Sequence, residues 1–163
     1  MVIQYLLEKY NGPIDIIALM TRGYNYAQHV HNRIIQLDSN RKSRLIKFYP
    51  VGRCGGNLDK EKYEKAISLG DISPEISFEK FRKDPRTRFV KNKPKSENIA
   101  VLIDDILYNG ETIRNSIKEM IVLGYNKDKI YILLEEETSY PFGRLCIPYW
   151  TNLDRRNPLG EIV

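Results

Sequence analysis

Long apolar runs are missing from this chain. None approaches the roughly 20 residues that span a bilayer, so no membrane partner is expected. Cysteine is scarce as well. Cys54 and Cys146 could pair, but two cysteines make neither a disulfide framework nor a metal-ligand spacing. Histidine is equally rare. His29 and His31 lie two apart on a predicted helix and do not share a face, so packing or surface roles are expected rather than metal or acid–base work. No internal repeat or low-complexity segment stands out. Met1 to Tyr10 lacks a basic n-region and a small-residue cleavage site, so no signal peptide is expected and a reducing cytoplasm is the simpler home.

What is present suits one folded domain. A length of 163 residues with 42% hydrophobic content is enough for a real core and too apolar for a disordered chain. The net charge of +5 is modest but uneven: Lys80 to Lys95 holds eight basic residues and one acid, Asp84. Such a run points to a polyanionic partner, either a polyphosphate ligand or nucleic acid such as RNA, against the plain alternative of a solvated basic loop.

Periodicity orders the chain. Val2 to Lys9 reads as a short helix, stopped by Asn11-Gly12-Pro13. Ile14 to Met20 is nearly all apolar, the mark of a strand buried on both faces. Tyr24 to Gln36 has helical spacing, and Arg44 to Tyr49 is a second strand. Asp59 to Leu69 reads as a helix capped by Asp59 and stopped by Gly70. The wider segment, about 52–98, is punctuated by Pro74, Pro85 and Pro94 and is expected to be a flexible flap. Ile99 to Ile103 is a strand. A helix follows on Ile113, Ile117, Met120 and Ile121, and Ile130 to Leu134 is another strand. Strands alternating with helices indicate an α/β fold, a single-domain parallel sheet covered by helices, with ligands expected outside the carboxyl ends of the strands.

The most informative stretch is Val101 to Thr112. It is an apolar strand ending in Asp104 and Asp105, then a loop of Tyr108, Asn109 and Gly110, then a helix from Glu111. Two carboxylates can accept hydrogen bonds from vicinal sugar hydroxyls, and a loop leading into a helix N-terminus offers backbone N–H groups to a phosphate. The plain alternative for the acids is a solvated strand-end turn. Thr21-Arg22-Gly23 is expected at the same sheet edge.

These residues resemble the type I phosphoribosyltransferases, and among them the branch of the pyrimidine operon regulator and uracil phosphoribosyltransferase. Ile17 to Gly23, reading IALMTRG, is similar to the pyrophosphate-loop segment of that branch, and Tyr131 to Glu136 falls at its strand leading to the base pocket. The resemblance implies a Rossmann-like domain with a flap and a small C-terminal hood. It implies transfer of ribose 5-phosphate from phosphoribosyl pyrophosphate to a nucleobase, with release of pyrophosphate. Asp104 and Asp105 would be catalytic, binding the 2′ and 3′ hydroxyls, the second also serving as general base or oxocarbenium stabiliser. Tyr108, Asn109, Gly110, Glu111 and Thr112 would wrap the 5′-phosphate, with Glu111 pointing outward as a helix N-terminal acid. Thr21, Arg22 and Gly23 would hold the pyrophosphate next to a cis or strained Met20–Thr21 peptide. Magnesium would arrive on the oxygens of the ligand rather than in a protein cage. A homodimer is the usual assembly.

The departures concern charge and base. Met20 stands where the regulator branch has lysine, and Asn109 replaces a threonine or serine. Glu135-Glu136-Glu137 occupies the region where purine-specific relatives place a lysine, so Glu136 is expected to accept from an amino or N–H edge. Tyr149 or Trp150 in the hood segment Ile147-Pro148-Tyr149-Trp150 would stack on the base, or else serve the core or a dimer interface. The alternative function is a regulator that keeps the ligand pocket as a sensor and binds RNA through 80–95. A receiver-like domain fits less well, because its acids come early in the chain.

Overall fold

Four apolar segments form the centre of one sheet: β1 (Ile14–Leu19), β2 (Ser43–Phe48), β3 (Ile99–Asp104) and β4 (Ile130–Leu134). They are all parallel, in the order β2-β1-β3-β4. β5 (Arg144–Pro148) and β6 (Leu159–Glu161) extend the β4 edge, each antiparallel to its neighbour. This computed structural model describes residues 2–52, 56–104, 111–134, 144–148 and 159–161. The antiparallel extension goes beyond the parallel sheet expected from periodicity. Ile147 and Pro148, read as part of a hood, belong to the backbone ladder of β5.

The helices are α1 (Val2–Lys9), α2 (Tyr24–Leu37), α3 (Gly56–Ser68), α4 (Phe78–Lys83) and α5 (Glu111–Leu123). Strand side chains alternate between the two faces, so one strand feeds two cores. Ile14, Ile16 and Ala18 of β1 join Val101 and Ile103 of β3 under Leu6 of α1 and Ala27, Val30 and Ile34 of α2. Ile17 and Leu19 join Ala100 and Leu102 under Ile113, Ile117 and Met120 of α5. Thus α2 and α5 lie on opposite faces. A right-handed crossover on one face carries the chain along the sheet one way, and one on the other face carries it back. Hence β2 and β4 flank β1 and β3 on opposite sides, and the direction of winding reverses between β1 and β3.

The amino edge of the sheet is closed by a buried polar cluster. Asp15 lies within the apolar run of β1 and is 0% exposed. Arg44 of β2 donates to both its oxygens, Nε at 2.8 Å and Nη2 at 2.6 Å. Asn98, just before β3, donates from Nδ2 at 3.1 Å, and the Tyr125 hydroxyl, just after α5, donates at 2.6 Å. A buried carboxylate is tolerable only when its oxygens are satisfied in this way. Nearby, the Arg41 guanidinium donates to the carbonyls of Leu7, Tyr10 and Gly12 and so closes the end of α1.

The segment from 56 to 98 holds more order than its polarity suggested. Ile72, Phe81, Phe89 and Val90 are buried, and Phe48 bridges to Phe89. Ser77 caps α4 by accepting the Lys80 N–H. Arg88, from the middle of the basic run, is 1% exposed. It pairs with Glu119 of α5 and donates to the carbonyls of Phe81 and Tyr49. Three more basic residues of α4 and the turn after it find acids: Arg82 with Asp59, Lys83 with Glu79, and Arg86 with Asp84. Half of the supposed polycation is therefore internally neutralised. Asp59 does not cap α3, which begins at Gly56; its Oδ1 accepts the Gly52 N–H at 3.1 Å. Gly70 does stop that helix, with a left-handed φ of 73°.

Candidate functional site

The carboxyl edge between β1 and β3 is where the winding reverses, and in open α/β sheets that crevice takes the ligand. Register brings two of the sequence-predicted groups there. Ala18 pairs with Ile103 and Asp104 with Leu134. One step on from Ala18, Leu19 is level with Asp104, two residues before Thr21. Asp104 is half-buried, while Thr21 and Arg22 are exposed. Among the described residues Arg22 enters no ion pair.

The loop after β1 is held tightly. The Met20 N–H still donates to Phe48 of β2 at 2.9 Å, and the Gly23 N–H donates to the Leu19 carbonyl at 2.9 Å. The Met20–Thr21 peptide bond is cis, as the resemblance implied at this position. Gly23 is buried at the N-terminus of α2 with φ −78°, a conformation open to any residue. Space is what demands glycine. A Cβ there would sit 3.0 Å from the Leu19 carbonyl oxygen and closer still to that of Ile103. The close approach made by Gly23 is thus to the end of β3, and it docks the loop beside Asp104.

The N-termini of α2 and α5, on opposite faces of the sheet, both open at this edge, each with first-turn N–H groups. Thr112 lies in the first turn of α5, exposed, with its carbonyl accepting the Ser116 hydroxyl at 2.7 Å. Glu111 is the first residue of α5. Asp105, Tyr108, Asn109 and Gly110 lie outside the described residues, as do Glu136, Tyr149 and Trp150. The structure therefore brings together Thr21, Arg22, Gly23, Asp104 and the start of α5, and the base-binding expectation lies outside what it describes.

One group at this edge was missed in the sequence. Lys62 of α3 donates from Nζ to the carbonyl of Pro50 at 3.0 Å, two residues past the end of β2. Burial pushes its ammonium below the ordinary lysine value; Asp59 and Asp104 oppose that shift, and Arg88 and Arg22 reinforce it. Asp59 is itself committed to the Gly52 N–H and to Arg82, 3.3 Å from its Oδ2. That oxygen is buried with no hydrogen bond, so the Arg82 contact is an attraction without donor alignment. Nothing in a run such as Lys60-Glu61-Lys62-Tyr63 distinguishes an inward lysine from its solvated neighbours.

A scan against protein-family models and a search of curated proteins both find no match for this chain. Among the described residues no group of three or more His, Cys, Asp or Glu could hold a metal ion, and no helix is long and apolar enough to cross a membrane.

Proposed function

We propose that this protein is a phosphoribosyltransferase, taking phosphoribosyl pyrophosphate and a nucleobase at the carboxyl edge between β1 and β3. The observation that carries the reading is the shared level of Asp104 and the Thr21-Arg22-Gly23 loop across two neighbouring parallel strands, at the point where the winding reverses. A ribose hydroxyl pair suits a carboxylate at the end of β3. A diphosphate suits an exposed arginine beside a helix N-terminus.

In the reaction, the C1–O bond to pyrophosphate breaks and the leaving group takes the electron pair. The base nitrogen then forms the new bond at C1 and gives up its proton, to Asp105 in the role the resemblance implies or to water. Arg22 steadies the charge gathering on the leaving pyrophosphate, Asp104 fixes the sugar hydroxyls, and Asp105 stabilises positive charge at C1 in the role the resemblance implies. Magnesium would neutralise the diphosphate, held mainly by ligand oxygens with Asp104 nearby; a single carboxylate fits that arrangement better than a protein cage. Closure of the segment at 52–98 would exclude water. A homodimer remains part of this reading.

Met20 favours a second reading. It is uncharged and buried in the core cluster under α2, so this position supplies no cation. A site short of charge can bind without turnover, as a nucleotide-sensing, RNA-binding regulator would. The pairing of Arg82, Lys83, Arg86 and Arg88 with acids weighs against RNA as the partner of 80–95.

The test is thermal unfolding with phosphoribosyl pyrophosphate and magnesium, coupled to an assay of pyrophosphate release over a panel of nucleobases. A raised Tm together with base-dependent release supports the enzyme. A raised Tm without release from any base supports the sensor, and no shift at all rejects both.

A further inference from the structure

Lys62 approaches the proposed diphosphate loop from a different element of the fold. β2 and β1 are paired so that Phe48 faces Leu19, which brings the end of β2, with Pro50 two residues beyond it, to the carboxyl edge next to β1. Helix α3 carries Lys62 back over that edge, where its Nζ donates to the Pro50 carbonyl. An ammonium has three donors. Among the described residues Lys62 uses one and forms no ion pair, although it is half-buried. The carboxylate next to it on α3, Asp59, is already held by Gly52 and Arg82.

We propose that Lys62 is the second cation of the diphosphate pocket, binding with Arg22 the anionic groups that the Thr21-Arg22-Gly23 loop receives. The inference rests on the phosphoribosyltransferase reading and names a binding residue for its substrate class, a magnesium-bound diphosphate ester. Two observations converge on it. The loop itself supplies one cation, Arg22, since Met20 is uncharged and buried in the core. Burial lowers the Lys62 pKa, the signature of a cation whose surroundings do not yet balance it. A diphosphate would supply the missing charge and take the two remaining N–H groups. A purely structural lysine tied to one carbonyl would contribute little, and a neutral side chain of similar length would replace it.

The experiment is calorimetric titration of the full chain with inorganic pyrophosphate and magnesium. Lys62→Gln, Lys62→Arg and the exposed control Lys127→Gln are compared, with Tm measured for each. Lys62→Gln should weaken binding at least about tenfold at unchanged Tm, Lys62→Arg should restore most of it, and Lys127→Gln should match the wild type. Should Lys62→Gln lower Tm, Lys62→Met, which keeps the stem, takes its place in the comparison. Binding by the neutral variant within about twofold of wild type overturns the inference, as does an equal loss in Lys127→Gln. Wild-type protein that binds neither pyrophosphate nor phosphoribosyl pyrophosphate overturns the functional reading along with it. Wild-type binding of both ligands with an indifferent Lys62→Gln overturns only the role of Lys62.

Discussion

The two edges of one sheet use charge in opposite ways. At the amino edge, Asp15 receives four hydrogen bonds from Arg44, Asn98 and Tyr125, and no oxygen is left over. At the carboxyl edge, Arg22 is exposed and Lys62 is tied by one bond. The contrast follows from topology. The amino edge must hold the starts of β1, β2 and β3 and the end of α5 together, so its polar groups are spent on one another. At the carboxyl edge β1, β2 and β3 are followed by α2, α3 and α5, whose N-terminal donors are not spent on one another. The first edge serves stability, and the second is where the proposed ligand would bind.

The largest effect should come from breaking the amino edge. Asp15→Ala strands a guanidinium, an amide and a buried hydroxyl, and should cost roughly 3–5 kcal/mol in urea unfolding. The protein that stays folded should still bind phosphoribosyl pyrophosphate with unchanged affinity. Near-native stability of this variant would erase the distinction between the edges.

Next is the seam between the edges' functions. Gly23→Ala forces a methyl against the Ile103 and Leu19 carbonyls, and overpacking of this kind costs about 1–3 kcal/mol. Because the clash displaces the loop from β3, ligand affinity should fall together with Tm. A variant that loses neither would show that the loop does not need its docking against β3.

Asp104→Asn sharpens the comparison from the other side. It should weaken phosphoribosyl pyrophosphate binding at least about tenfold, near 1.4 kcal/mol, with a smaller stability change than Asp15→Ala. Titration calorimetry beside urea melts reads both quantities. A large loss of stability with intact binding would reverse the roles of Asp15 and Asp104.

The smallest effect is alkaline. Burial, with the hydrogen bond to Asp15 second, raises the Tyr125 pKa above its ordinary value of about 10. The folded state then keeps a proton that the unfolded chain releases, so stability is full below pH 10 and falls as pH rises beyond it. Burial, then Asp71, does the same to Tyr49. Urea midpoints measured from pH 8 to 11 should decline above pH 10, with a shallower decline in Tyr125→Phe. An identical slope in that variant would remove Tyr125 as a source of the decline.

Much of the parallel sheet is legible in the sequence because its strands are short apolar runs. Ile14 to Met20 reads as a strand buried on both faces, and β1 is buried throughout; Ile99 to Ile103 reads as a strand, and all five residues are buried. Helix α5 announces itself by Ile113, Ile117 and Met120 at helical spacing. The segment from 72 to 98 is less legible, because α4 spans only Phe78–Lys83 and one buried phenylalanine cannot set a period. Arg88 misleads for a related reason: its charge belongs to a run in the sequence, while its partner Glu119 is on another helix. In the candidate site, Asp104 and the Thr21-Arg22-Gly23 loop are legible as local patterns at strand ends. Lys62 is not, since a lysine in a polar helix carries no mark of the surface it will meet.

Local chemistry in the sequence determined which segments become strands and helices, where each one stops, and which strand ends carry carboxylate and guanidinium. Those choices depend on neighbours within a few residues. Tertiary structure alone decided that β1 and β3 lie side by side, that Gly23 abuts Ile103, that Asp15 gathers donors from three elements, and that Lys62 reaches the Pro50 carbonyl beyond the end of β2. These depend on right-handed crossovers on opposite faces of the sheet, a constraint that acts on whole elements and leaves no trace in any short stretch of residues.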